Sequence, residues 1–331
     1  MSKNSLDTPL YKFNRKRPGG DLGLEIELEG TLEPPAGVFW VHKQEGSLRQ
    51  HPHGYEYILQ KPIKIEKLDE ALAEIKKVFD NSIIFPSIRC STHIHINVTS
   101  KTLREIYNII GYYYLVEDFL VRTQGPMRCG NLFCLRMSDA ETLPWDIGQS
   151  IQRQRYFTHF GMPQFKYGAL NLAAPMRYGS LEFRFLRPIT NVDLLRKWSE
   201  ILYALVNNAA GISVKSALKF VKESSPDEFL KLVWNEEQVG FLLNIDPLPP
   251  HDLHNLLLVN YDHVRHIQKK LDSRAPYRVP PQMLETDLET TSPFGAGLTM
   301  AELEEVTATA SWAPIPTEDF ILDDEYDDDL D

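Results

Sequence analysis

Between Leu22 and Leu32 the chain alternates with a period of two. Leu22, Leu24, Ile26 and Leu28 fall on one side, and Glu25, Glu27 and Glu29 on the other. Successive strand residues point to opposite faces, so this run is a β-strand buried on one face and acidic on the other. Three glutamates at i, i+2 and i+4 repel one another along their face. With no Lys or Thr between them they call for a compensating cation, and an all-oxygen set suits Mg²⁺ or Mn²⁺. A solvated strand face is the plain alternative.

The same design recurs. In Thr92–Asn97 (THIHIN), His93 and His95 share one strand face, where an H-x-H pair can ligate a metal or donate to a phosphate. In Ser180–Arg187 (SLEFRFLR), Glu182 and Arg184 share a face opposite Leu181, Phe183 and Phe185. Arginine gives bidentate contacts to phosphate or carboxylate, and a Glu–Arg surface pair is the competing account. The segment Glu45–Ile58 offers Ser47, Arg49, His51, His53 and Glu56. His51 and His53 flank a proline in a turn and read as solvated, whereas Glu56 between aromatic strand residues is the better ligand candidate. Four strands with charged or imidazole groups on one face and aliphatic groups on the other make a sheet that packs on helices and lines a polar cleft. Glutamates, histidines and an arginine converging there would form a metal–nucleotide site.

Around these motifs the pattern predicts strands over 37–42, 55–59 and 169–172 and helices over 66–79 and 101–122. Further helices are expected over 193–208, 214–222, 226–234 and 251–271. Residues 125–165 keep no period and are expected to cover the ligand as a lid. The class is α+β with an antiparallel sheet and a helical C-terminal half. A content of 43% hydrophobic residues supplies a sizeable core. The expected divisions are a flexible arm at 1–20 with a basic patch from Lys12 to Arg17, a domain at 21–278, and an acidic, disordered tail at 279–331.

The formal net charge is −11, yet residues 279–331 hold fifteen acids and no Lys or Arg, which leaves +4 for residues 1–278. That excess accommodates anionic ligands and argues against nucleic acid as a partner. The tail, with Phe320, Ile321, Leu322, Tyr326 and Leu330 among its acids, either solubilises the chain or docks a basic partner. Cys90, Cys129 and Cys134 form neither a zinc pattern nor a disulfide framework, which points to reduced thiols in a cytoplasmic protein. The polar N-terminus carries no signal peptide pattern, and no apolar stretch is long enough for a membrane partner.

The motifs also come in a telling order. Gly23–Glu27 reads G-x-E-x-E, and Glu45–Leu48 reads acidic-G-S-L with a G-x-E at Gly54–Glu56. Then come H-x-H at His93–His95, A-L-N-L at Ala169–Leu172 and x-E-F-R at Leu181–Arg184. This set, spanning Gly23–Trp198, resembles the amidoligases (carboxylate–amine ligases) of the glutamine synthetase and glutamate–cysteine ligase superfamily, including phage-encoded members. The resemblance implies an antiparallel sheet with helices on one face and a concave active-site face holding ATP and Mg (or Mn). Carried over by position, Glu25, Glu27, Glu56, His93 and Glu182 would be metal ligands. His93, His95, Asn171 and Arg184 would contact the nucleotide, and Arg184 and Glu56 would act in catalysis. Glu45 stands where Asp is common, and Arg177, Arg184 and Arg187 form a richer basic cluster than the motif needs. The implied reaction joins a small-molecule or peptide carboxylate to an amine through an acyl phosphate, in the cytoplasm (the host's, if phage-encoded).

Three rival readings stand beside this one. One is a phosphotransferase on the same fold that stops at a phosphorylated guanidino or amine group. Another is a non-catalytic interaction protein acting through the tail. The third is a metal hydrolase built on His93 and His95, which leaves Arg184 unexplained.

Overall fold

The computed structural model describes residues 5–14, 19–46, 48, 53–85, 87–132, 134–140, 142–153, 157 and 163–273. The strands are β1 (Leu22–Thr31), β2 (Trp40–Gln44), β3 (His53–Leu59), β4 (Ile83–Phe85), β5 (Thr92–Asn97), β6 (Leu170–Asn171) and β7 (Ser180–Leu186). They form one seven-stranded antiparallel sheet in the order β2-β3-β1-β5-β7-β6, with β4 on β1 beyond the end of β5. The helices are α1 (Tyr11–Asn14), α2 (Leu68–Asp80), α3 (Leu103–Arg122), α4 (Leu143–Gln152), α5 (Pro163–Lys166) and α6 (Ala174–Tyr178). After β7 follow α7 (Val192–Ala209), α8 (Val214–Glu223), α9 (Pro226–Leu230), α10 (Glu236–Ile245), α11 (Pro250–Leu258) and α12 (Tyr261–Asp272). The α+β class and the helical second half are as the sequence predicts. No single helix among the described residues is long and apolar enough to cross a membrane.

The alternation of β1 decides the layering. Leu22, Leu24, Ile26 and Leu28 are each at most 1% exposed, and they face the helices. Each such side chain contributes about 1.5–3 kcal/mol when fully buried. The helix α3 is apolar on nearly every side and is buried along almost its whole length, between the sheet and an outer tier of α8, α11 and α12. It starts on a capping box in which Thr102 and Glu105 satisfy each other's backbone N–H. The α2 and α7 helices pack beside each other and against the same side of the sheet. Between β6 and β7, α6 ends on Gly179 at φ +80°, a left-handed cap that turns the chain into β7.

Several expectations are corrected. The expected strand at 37–42 begins only at Trp40, because the Glu74 carboxylate accepts hydrogen bonds from the backbone N–H of Val38, Phe39 and Trp40 and draws that turn onto α2. The arm is not loose over residues 5–14. Leu10 is fully buried, its N–H donates to Lys101 O, and Arg104 pairs with Asp7. The single helix expected at 251–271 is two, broken at Asn260, whose buried side chain donates to Tyr114 O and the Asp118 carboxylate. The expected lid contains α4, whose apolar face packs on α12, and α10 is a helix the sequence reading did not find. None of the described residues of 125–153 lines the polar face of the sheet, so a covering role for them is not seen. Arg136 instead pairs with Asp118, and Met137 N–H donates to Glu117, both on α3. The tail expected at 279–331, along with Ser47, Arg49, His51 and the His53 side chain, lies outside the described residues.

Candidate active site

Register, more than any single motif, builds the polar face. Glu25 stands opposite His93, and His95 opposite both Gly23 and Glu182. Glu27 stands opposite Glu56, Glu56 opposite Lys43, and Asn171 opposite Glu182. The residues meet because all these strands place the same parity on the same side. Gly23 has a steric reason to be glycine, since a Cβ there would lie 3.3 Å from the His95 Cβ.

The side chains form two overlapping groups. Glu25, Glu56 and His93 bring one ligand atom each within 4.8 Å of one another, and so do Glu25, His95 and Glu182. Glu25 serves both: one oxygen lies 3.2 Å from His93 Nδ1 and the other 3.3 Å from His95 Nε2. Glu182 accepts from Asn171 Nδ2 at 2.6 Å and from Arg184 Nη1 at 2.5 Å. His95 Nδ1 lies 3.1 Å from Ser180 Oγ, while its buried Nε2 has no hydrogen-bond partner. Lys43 Nζ reaches Glu56 at 2.6 Å from the edge strand. Each of these groups of carboxylates and imidazoles, with a buried Nε2 near two carboxylates, could hold a metal ion.

The electrostatics agree with the packing. Burial would raise the Glu25 carboxyl, but the nearby His93 and His95 outweigh it and hold it far below the usual range. Glu182 behaves likewise: burial raises it, and His95, Arg184 and His93 bring it below. Glu56 goes the other way, because burial and the nearby Glu25 and Glu27 exceed the pull of Lys43. Burial alone would lower His95 and Arg184, yet both are raised, Arg184 by Glu182 and His95 by Glu182 and Glu25.

Two cavities of about 320 Å³ each open on this face and share Glu25 and Tyr178. One is strongly polar, with Lys43, Arg89, Lys166, Arg177 and Arg184 set among the carboxylates. The other, which runs over Gly23 and Ile58 toward Pro62, has no Lys or Arg in its lining. Of the residues expected from sequence, Glu25, Glu56, His93, His95, Asn171, Glu182 and Arg184 come together. Glu27 lines the cleft but belongs to neither ligand group, and it bonds instead to Ser91. Arg187 lines neither cavity. Lys43, Ser91, Arg89, Lys166 and Tyr178 were not expected. Lys43 left a readable signal as an alternate position of an edge strand, and Ser91 through its parity with His93; Arg89, Lys166 and Tyr178 sit in a turn or on short helices that no period marks. No family model matches the sequence, and no curated protein matches it.

Proposed function

We propose that this chain is an ATP- and Mg-dependent carboxylate–amine ligase on a glutamine synthetase-like sheet. The observation that carries the reading is the shared carboxylate of Glu25, which joins two ligand groups beside a buried arginine and a cleft rich in cations. Glu25, Glu56 and His93 would hold one ion, and Glu25, His95 and Glu182 the other; bound magnesium would neutralise phosphate oxygens there.

A carboxylate is a poor electrophile, and its attack on a triphosphate brings two anions together. Arg184 is suited to offset that repulsion, because the residue is 8% exposed and its guanidinium is held in place by Glu182. Lys43, Arg89, Lys166 and Arg177 extend the positive field along the cleft for anionic ligands. In the reaction the substrate carboxylate oxygen bonds to the terminal phosphorus as the bridging bond to ADP breaks. The amine nitrogen then bonds to the acyl carbon, phosphate leaves, and the amine gives up a proton. Asn171 fixes the second oxygen of Glu182, so this part of the cleft is rigid before ligand arrives.

The test is incubation with Mg-ATP and pools of amino acids, polyamines and peptides, reading ADP and new amide mass. Amide formation lost in Glu25→Gln is the expected result. ADP with a stable phosphorylated product and no amide would favour the phosphotransferase. No ATP turnover with any pool, and no ATP binding, would end the ligase reading.

A further inference from the structure

Ser91 lies one residue before β5 and is only 5% exposed. Its carbonyl accepts from Glu27 N–H at 2.8 Å, which ties it to β1. Its hydroxyl stands between Glu27 Oε2 at 2.5 Å and His93 Nε2 at 2.7 Å. A hydroxyl has one hydrogen to give, and an ionised carboxylate only accepts. The hydrogen therefore goes to Glu27, and Ser91 Oγ is left to accept from His93. That places hydrogen on Nε2 of His93, and in the neutral ring it leaves a lone pair on Nδ1. Nδ1 is the atom that faces the cluster. Glu25 Oε2 lies 3.2 Å away, Glu182 Oε1 3.7 Å, and Arg184 Nη1, which can only donate, 3.4 Å.

We propose that Glu27 and Ser91 form a relay that fixes the tautomer and ring orientation of His93, so that its Nδ1 lone pair is presented to the cation position shared with Glu25 and Glu56. Glu27 is then a positioning residue rather than a ligand, which accounts for its standing outside both groups. The role of the relay rests on the metal reading above, whereas the tautomer does not. Metal-bound histidines are commonly held through their second nitrogen by such a partner, and its loss weakens the metal by about 10–100-fold.

The test uses the full chain with ¹⁵N-labelled histidine at pH 8, His93 being assigned by the signals lost in His93→Gln. In the metal-free wild type, long-range ¹H–¹⁵N spectra should show hydrogen on Nε2. Glu27→Gln keeps the size of the side chain, but its amide can donate to Ser91 and turn the relay round, so Nδ1–H should appear. Ser91→Ala should lose the fixed tautomer, and Ser91→Thr, which keeps the hydroxyl, should retain it. Titration with Mn²⁺ followed by electron paramagnetic resonance should show about 10–100-fold weaker binding in Glu27→Gln and Ser91→Ala, with Ser91→Thr near wild type. Hydrogen on Nδ1 alone in the wild type would overturn the proposal, as would unchanged tautomer and Mn²⁺ affinity in both variants. A wild type with Nε2–H that binds no Mn²⁺ would sink the metal reading and support the relay, so the two failures read differently.

Discussion

Glu27 and Glu56 stand directly opposite each other across the β1–β3 ladder. Like charges in that position repel, and each is held by a different neighbour. Ser91 donates to Glu27, and Lys43 reaches Glu56 from the sheet edge. The two glutamates thereby acquire different tasks, one tied into the protein and one facing the ligand group of Glu25 and His93.

Lys43→Met should therefore matter most when no metal is present. Glu56 is 6% exposed, and without Lys43 its carboxylate loses the ion pair that reaches it from the edge strand. A loss of about 1 kcal/mol is expected in urea unfolding with a chelator, and less with Mg²⁺. Equal losses in both conditions would mean that Lys43 and the cation do not share Glu56.

Divalent cations should stabilise the wild type. At a hundredfold excess over Kd the gain is about 2.7 kcal/mol, or roughly 5–10 °C in Tm for a body of this size. Glu25→Gln, which removes a ligand from both groups, should lose most of it. Thermal melts with Mg²⁺, with Mn²⁺ and with a chelator check this, and an unchanged wild-type Tm would count against a cation site.

Arg184→Ala should cost about 3–5 kcal/mol, because it leaves the Glu182 carboxylate, only 3% exposed, without its partner. Removing both charges in Glu182→Gln/Arg184→Met should recover most of that stability and none of the activity. Denaturant midpoints for the two single variants and the double variant, read as a cycle, separate the structural role from the chemical one.

Glu117, on α3, sets a pH dependence of its own. Burial raises its carboxyl well above the usual range, against the opposing hydrogen bond from Met137 N–H. A carboxyl raised in the folded state binds its proton more tightly there than when unfolded. The stability it contributes is full below the unfolded value, near 4.5, and is lost as pH rises toward the folded value. Glu117→Gln mimics the protonated form, so the wild type should lose ground to it between pH 5 and 8, by at most about 1.4 kcal/mol per unit. Parallel pH profiles for the two proteins would contradict this.

The helix and strand errors have local causes. The run at 37–39 carries strand-forming residues, but Glu74, 34 residues from Trp40 in sequence, captures its N–H groups. Residues 251–271 read as one helix because nothing nearby in the sequence shows that Asn260 will be drawn to Tyr114 and Asp118, more than 140 residues away. The face carrying Glu25, Glu56, His93, Glu182 and Arg184 was legible because each lies on a strand whose alternation fixes parity. Arg89 and Lys166 were not, since a turn or a short helix has no period to read, and Ser91, though it keeps the parity of His93, carries no charge to mark it.

By itself the sequence determined which side of each strand faces the helices, since a period of two separates the aliphatic residues from the charged ones. It thereby determined that acids, histidines and an arginine share a face. Only the tertiary structure decided which of them touch. Antiparallel register, set by pairings between distant segments, put Glu25 between His93 and His95 and turned Glu27 toward Ser91. Contacts of that kind depend on side-chain positions a few ångströms apart, and strand parity alone does not carry that information.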